Sequence, residues 1–389
     1  MAGVLSRKTI VGVKAEVTPG TYITPTSTDL LRVVEVPIPA PAIDVADRPL
    51  ITGQLGELKP IKSMRHGTIP LKTELRGGGV TAGTTKRPEN GELLKNAFGK
   101  EHVGVNTTTV SGSTSAQLKL LTSAISISRI GSPILLSGIV RVITAQSGLY
   151  ATLNQGLGAV PASGVAVKVG RTYAPGSDDT DYNYLSITLF QDAATSGPAF
   201  KGIGCKTSSL AFSGFEVGQI PKLEHTLEVM DHSEALATVP AGASFNSQLP
   251  PVVMNGYVSR ADAQLAIDTM EFKLENTIEQ EKDVNASSGI VDQFVTKRKV
   301  TGKINPKLAQ ADVALQDAWR NNDSFELFTV VGQKNSSGQF QHGTCAVLYM
   351  PNVVFTNGGR EDKNGLMRHA LEFMAHVDTG DDEVYLGIL

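Results

Sequence analysis

The sequence predicts a mainly β protein: two tandem copies of one β-rich unit, each with a single flanking α-helix, and a small β-domain inserted into the first copy. Three observations lead there. Glycine (39) and proline (19) are both abundant, and Thr, Ser and Val fill long stretches, which is the composition of short strands joined by turns. Segments of matching type follow one another in the same order in the two halves. A long Ser-, Thr-, Val- and Gly-rich stretch interrupts only the first of them.

Each half starts with a strand that closes on glycine, IPLKTELRG (69–77) and FVTKRKVTG (294–302). A helix follows. PENGELLKNAFG (88–99) has Pro near its start and sets Leu93, Leu94, Ala97 and Phe98 at helical spacing. QADVALQDAWRN (310–321) repeats the pattern with Ala314, Leu315, Ala318 and Trp319. Next comes a hairpin signature: LSITLF from Leu185 and FELFTVV from Phe325, each followed by a polar turn. Beyond each turn a Phe precedes a Cys, Phe200 with Cys205 and Phe340 with Cys345.

Each half then ends on a His-bearing strand. LEHTLEVMDH (223–232) and MRHALEFMAH (367–376) share His, Leu, Glu, Met and His at the same places. In the second half the helix reaches the hairpin between Asn321 and Phe325, whereas in the first everything from Lys100 to Tyr184 intervenes. That stretch reads as an insertion at a helix–strand loop, where one is tolerated. The expected boundaries are 1–100 with 184–245 for the first unit, 101–183 for the insertion and 246–389 for the second unit.

Composition excludes several function classes. A formal net charge of −3 offers no general attraction for nucleic acid or anionic membrane. Two cysteines rule out a disulfide-dense scaffold. No apolar run is long enough to span a bilayer. The start, MAGVLSRKTIVG, lacks the apolar core of a signal peptide, so a cytoplasmic place is expected, at least during synthesis.

The search for chemistry returns no catalytic, metal or cofactor residues. His225/His232 and His369/His376 repeat, but residues seven apart on a strand face opposite sides and lie ~23 Å apart. Cys205 and Cys345 read as small buried hydrophobes in equivalent places of separate units. SDDTD (177–181) lacks the Gly and distal Glu of a calcium loop, and Gly77–Gly79 lacks the continuation of a phosphate cradle. Acidic pairs such as Asp381/Asp382 and Glu279/Glu281 carry a glycosidase reading only with a measured separation in a cleft. No GxSxG, HExxH, CxxC or Walker-type motif occurs.

The stretch GVKAEVTPGTYITPTSTDLLRV (12–33), with Gly12, Glu16, Thr18, Gly20, Thr21 and Pro25, resembles the opening of major tail tube proteins of long-tailed, siphovirus-type bacteriophages. GIGCKTSSLAFSGFEVGQIPKLEHTLEV (202–229) is similar to them as well. The resemblance implies tube domains that are β-sandwiches or barrels with one flanking helix. It also implies subunits that join strands around a channel, and rings that stack into a tube. Single-domain members form hexamers, and tandem ones form trimers with pseudo-sixfold symmetry. The duplication points to the trimer, with a hexamer as the alternative.

A long loop between two early strands stacks the rings in that family. The matching stretch is 44–68, with Asp47, Arg48, Leu50, Gln54, Glu57 and Lys59 as candidate contacts. Its partner is 275–293, with Glu279, Glu281, Lys282 and Asp283. The implied partners are further copies of the chain and the tape-measure, tail-terminator and distal tail proteins. Double-stranded DNA crosses the lumen without specific binding, and no membrane or cofactor is involved. The implied place is the virion tail, assembled in the bacterial host cytoplasm. Two alternatives compete: the inner tube of a contractile injection device, and a carbohydrate-binding or hydrolytic β-sandwich. The low aromatic content (6%, one Trp) argues against the latter.

Overall fold

The computed structural model describes residues 5–51, 53, 55, 58–81, 84–191, 196–243, 245–260, 262–308 and 313–389. They form a mainly β molecule. Among the described residues, one eighteen-stranded sheet runs through both halves of the chain and a six-stranded sheet occupies the insertion.

In the first half, Ile10–Ala15 pairs with Leu185–Phe190, which turns back into the long strand Gly197–Ser213. The front of that strand pairs with Asp231–Ala237 and its rear with Lys222–Val229. Lys222–Val229 then pairs with Ile61–Glu74, and Ile61–Glu74 with Ala40–Ala46. The second half repeats this order strand for strand. Tyr257–Arg260 pairs with Phe325–Val331, which turns into Ala346–Lys363. The front of Ala346–Lys363 pairs with Tyr385–Ile388 and its rear with Leu366–Ala375. Ile290–Ile304 and then Met270–Lys282 complete the series.

Two β-bulges fix which residues correspond. In the first half the ladder skips between Leu185/Ile187 and again between Thr207/Ser209; in the second it skips between Phe325/Leu327 and between Phe355/Asn357. Their partners give the equivalences: Cys205 with Val353, Thr207 with Phe355, and Leu227 with Phe373.

Three matches drawn from the sequence shift accordingly. The His-bearing segments do occupy equivalent strands, but two residues out of step: His225 corresponds to Leu371 and His369 to Leu223. A slip of two keeps the same face of a strand, so all four are inward-facing and buried. Cys345 is not the counterpart of Cys205. It lies at the opposite end of its hairpin, its N–H donating to Leu389 O at 2.7 Å. Gly302 corresponds to Ile69, not Gly77, because these are the partners of Phe373 and Leu227. Alternating strand sequences match at any even offset, and only the bulges mark the true one.

The predicted helices run Gly91–Phe98 and Ala314–Asn321; of the second predicted stretch, 310–312 lie outside the described residues. Each helix sends one amide side chain to its long strand, the first at the bulge and the second just beyond it. Asn96 Oδ1 accepts from Thr207 N at 2.6 Å and Thr207 Oγ1 at 2.7 Å. Gln316 Nε2 donates to Gly358 O at 3.0 Å. Bulged residues leave backbone groups out of the ladder, and a buried amide satisfies them.

The six-stranded sheet spans 107–169, narrower than the stretch 101–183 read as inserted. It keeps a core of its own around Leu118, Ile134, Ile143 and Val167. Its Leu135, Val140 and Val142 pack on Phe328, Val347 and Tyr349 of the second half. The strands on either side of it, Gly99–Val103 and Arg171–Pro175, pair with each other, and the latter joins Tyr385–Ile388 in the large sheet. Gly77 and Gly78 serve close packing here: a Cβ on either would lie 2.2 Å from Gly343 O or 1.9 Å from Lys86 O.

Lys206 ties the halves together. Its side chain is fully buried, and its ammonium donates to Asp179 Oδ1 at 2.8 Å and lies 4.1 Å from the centre of the Tyr184 ring. It also donates to Gln293 O on a second-half strand. Burial lowers its pKa, against the Asp179 charge that raises it.

Two predictions follow from the core. Burial pushes the His225 imidazole down to about 3, with neither ring nitrogen bonded. The unfolded imidazole titrates near ~6.5, so as pH falls the unfolded state takes up its proton first. Stability held above ~6.5 is therefore lost progressively toward pH 3. His225→Leu, the residue at the equivalent Leu371, is expected to flatten denaturant stability between pH 6.5 and 4; an unchanged slope contradicts this origin. Asn96→Ala strips Thr207 of its acceptor and is expected to cost about 1–3 kcal/mol, read as a lowered Tm.

Candidate functional site

The two halves are fused by backbone. Residues 209–212 at the rear of Gly197–Ser213 pair antiparallel with 272–275 of Met270–Lys282: Ser209 with Glu275, Leu210 with Leu274, Ala211 with Lys273, Phe212 with Phe272. The Phe212 and Phe272 rings meet at 4.8 Å. This seam makes one continuous sheet of two repeated units.

The residues equivalent to the two sides of the seam are open. Asn357, Gly358, Gly359 and Arg360 correspond to 209–212, and no strand among the described residues pairs with their outer side. Ala40–Ala46 corresponds to the start of Met270–Lys282 and is likewise paired on one side only. Exposure follows pairing. Leu210 and Phe212 are buried, whereas Asn357 and Arg360 are exposed. Around Ala40–Ala46, Ile38 (75%) and Val45 (57%) lie open to solvent.

In the strands around Lys222–Val229 and Ile290–Ile304 one face of the sheet packs on the core and the other is polar. Lys222–Val229 alternates strictly, with Leu223, His225, Leu227 and Val229 buried. The outward side chains match by charge across strands. Glu224 stands opposite Lys72, Glu275 opposite Lys299, and Lys303 between Glu271 and Glu372. Lys72 Nζ lies 2.7 Å from Glu224 Oε1 and 3.0 Å from Glu35 Oε1. Its hydrogen bond to Glu224 raises the Lys72 pKa, and the same bond lowers that of Glu224. Such cross-strand pairs leave few uncompensated positive charges for a polyanion.

The residues predicted from sequence to stack rings divide into two groups. Asp47, Arg48, Leu50 and Lys59 lie, exposed, on the segment joining Ala40–Ala46 to Ile61–Glu74; Gln54 and Glu57 lie outside the described residues. Ile51 and Leu55 on that segment are fully exposed. The second expected loop is shorter than 275–293. Glu279, Glu281 and Lys282 belong to the strand Met270–Lys282, whose pairing with Ile290–Ile304 continues to its end. Asp283 alone of the four sits in the turn, its Oδ1 accepting from Asn285 N at 2.8 Å.

The histidines do not converge. His232 stacks on Phe200 and reaches Ala42 O, His369 meets Gln316, and His376 meets Ser324. Both cysteines are free and buried. Among the described residues, no group of three or more His, Cys, Asp or Glu could hold a metal ion.

A duplicated sheet with open edges and a charge-paired outer face is a building block, and comparison with known families agrees. The family model described as phage tail tube protein matches residues 6–375, nearly the whole chain. The chain belongs to that family. Among curated proteins, none matches it. As a phage tail tube protein it is a structural component of the virion tail. No described helix is long and apolar enough to cross a membrane. The open edges of this tail tube protein were not singled out in the sequence. The signal was NGG at 357–359: glycines inside a strand pattern mark a bulge or a close backbone approach.

Proposed function

We propose that three copies of this tail tube protein close into a ring of six tube units, and that such rings stack into a tube whose channel passes double-stranded DNA without holding it. The observation that carries this reading is the single sheet running through two repeated units, open where the internal seam would repeat. Exposed edges normally invite aggregation, and closing a barrel removes them. The charge-paired face would line the channel. The units would be 1–100 with 184–245 and 246–389, and within the insertion 101–183 the six-stranded sheet of 107–169 would be an outward decoration. A hexamer of chains is the alternative ring.

Stacking is assigned to the segment 47–60, exposed at Asp47, Arg48, Leu50, Ile51, Leu55 and Lys59, and to the turn 283–289, at the same end of the equivalent hairpin. Val217 and Met254, both exposed, lie at the opposite end of the sheet, by the start of Met270–Lys282. One ring could then grip the next head to tail, an arrangement that continues without limit. Tape-measure, tail-terminator and distal tail proteins would set length and ends, in a tail assembled in the host cytoplasm. The inserted domain favours a tail without a sheath over the inner tube of a contractile device, because a sheath leaves little room for decoration.

Deleting residues 50–60 is expected to leave a folded protein that forms rings but no tubes in negative-stain microscopy; tubes of ordinary length would refute the stacking assignment. Glu224→Lys with Glu275→Lys is expected to make assembled tubes retain double-stranded DNA at low salt and release it as salt rises. Wild-type tubes should retain none, and equal retention by both would remove this face from the channel.

A further inference from the structure

We infer that the ring closes in the register of the internal seam, with Asn357 of one copy opposite Ala42 of the next, Gly358 opposite Pro41, Gly359 opposite Ala40, and Arg360 opposite Pro39. The inference rests on the ring reading above and specifies its contact. Two chains of equivalence fix the register. The bulge carries 209–212 onto 357–360. Leu227 pairs with Ile69 and its counterpart Phe373 with Gly302, so Thr68 matches Thr301. Their hairpin partners, Ala40 and Lys273, then match as well, carrying 272–275 onto 39–42.

The two edges fit each other in a way the internal seam does not require. Pro39 and Pro41 have no N–H to donate, where Phe272 and Leu274 each have one. Ala40 O lies toward Gly67 and Ala42 O toward His232, both on the inner side of the edge strand. Alternate residues of a strand direct their peptide groups to opposite sides, so Pro39 and Pro41 turn their carbonyls outward. The facing carbonyl, Gly358 O, needs no donor from proline, because Gln316 Nε2 already bonds it at 3.0 Å. Each pair therefore forms with one hydrogen bond, from Gly358 N–H to Pro41 O and from Arg360 N–H to Pro39 O. An edge that accepts but cannot donate is a poor template for self-pairing and a suitable one for a donor edge. Gly358 and Gly359 carry no side chains to obstruct the approach.

The test is a paired-cysteine variant, Gly359→Cys with Ala40→Cys, assembled and then oxidised. Antiparallel partners lie ~4.5–5.5 Å apart, within disulfide reach. Covalent multimers on non-reducing gels are expected, far above those from the off-register control Gly359→Cys with Ala42→Cys. Equal or greater cross-linking of the control overturns the register. Should the cysteine variants not assemble, hydrogen exchange on the unaltered chain decides. Gly358 and Arg360 amides are expected to become protected on assembly, and the same exchange in free and assembled chain overturns the contact. A parent chain that stays monomeric at every concentration sinks the ring reading itself, a result distinct from either.

Discussion

Every backbone N–H and C=O in a sheet needs a partner or water, and this molecule is organised by that constraint. The pairing of 209–212 with 272–275 satisfies one strand margin inside the chain and fuses two repeated units into one sheet. It buries Leu210, Phe212, Phe272 and Leu274 in a core shared with both halves. Neither unit has a self-contained core on that side. The fused sheet is consequently left with two margins, at 357–360 and at Ala40–Ala46, that no described strand pairs.

The bulges make that repetition more than a resemblance of letters. A strand with a bulge bends and twists at a fixed point, so two strands bulged at equivalent points follow the same path. Asn96 bonds Thr207 at the first bulge, and Gln316 bonds Gly358 just beyond the second, each from the helix of its own unit. The two units thus share a backbone solution while their side chains have diverged. Arg65 and Arg298 show the same conservatism, each ion-paired to a carboxylate beyond its closing strand, Asp231 and Asp381.

Around this frame the molecule separates its surfaces. The outer sheet face pairs Lys72, Lys299 and Lys303 with glutamates across strands, which keeps the local potential low there. The inserted sheet is placed elsewhere, braced by Leu135 and Val142 on the second half and by the strands that bracket it. Apolar exposure concentrates at the edge strand and the segment after it, Ile38, Val45, Ile51 and Leu55. Contiguous exposed apolar residues on a soluble chain mark contact surfaces.

The sequence by itself determined the mainly β class, both helices, both hairpins, the interruption of the first unit and, through Gly12 to Pro25, the family. These are local or compositional signals: helical spacing, apolar runs before polar turns, glycine and proline content. It did not determine register. His225 and His369 matched in sequence yet differ by two residues in place, and Cys205 with Cys345 by more, because period-two patterns are indifferent to even slips. Nor did it determine that Glu279, Glu281 and Lys282 lie on a strand, since polar exposed strands resemble loops in composition. Only the tertiary structure decided which strand margins are covered and which are open. A margin is a relation between segments far apart in the chain, and no residue encodes it alone.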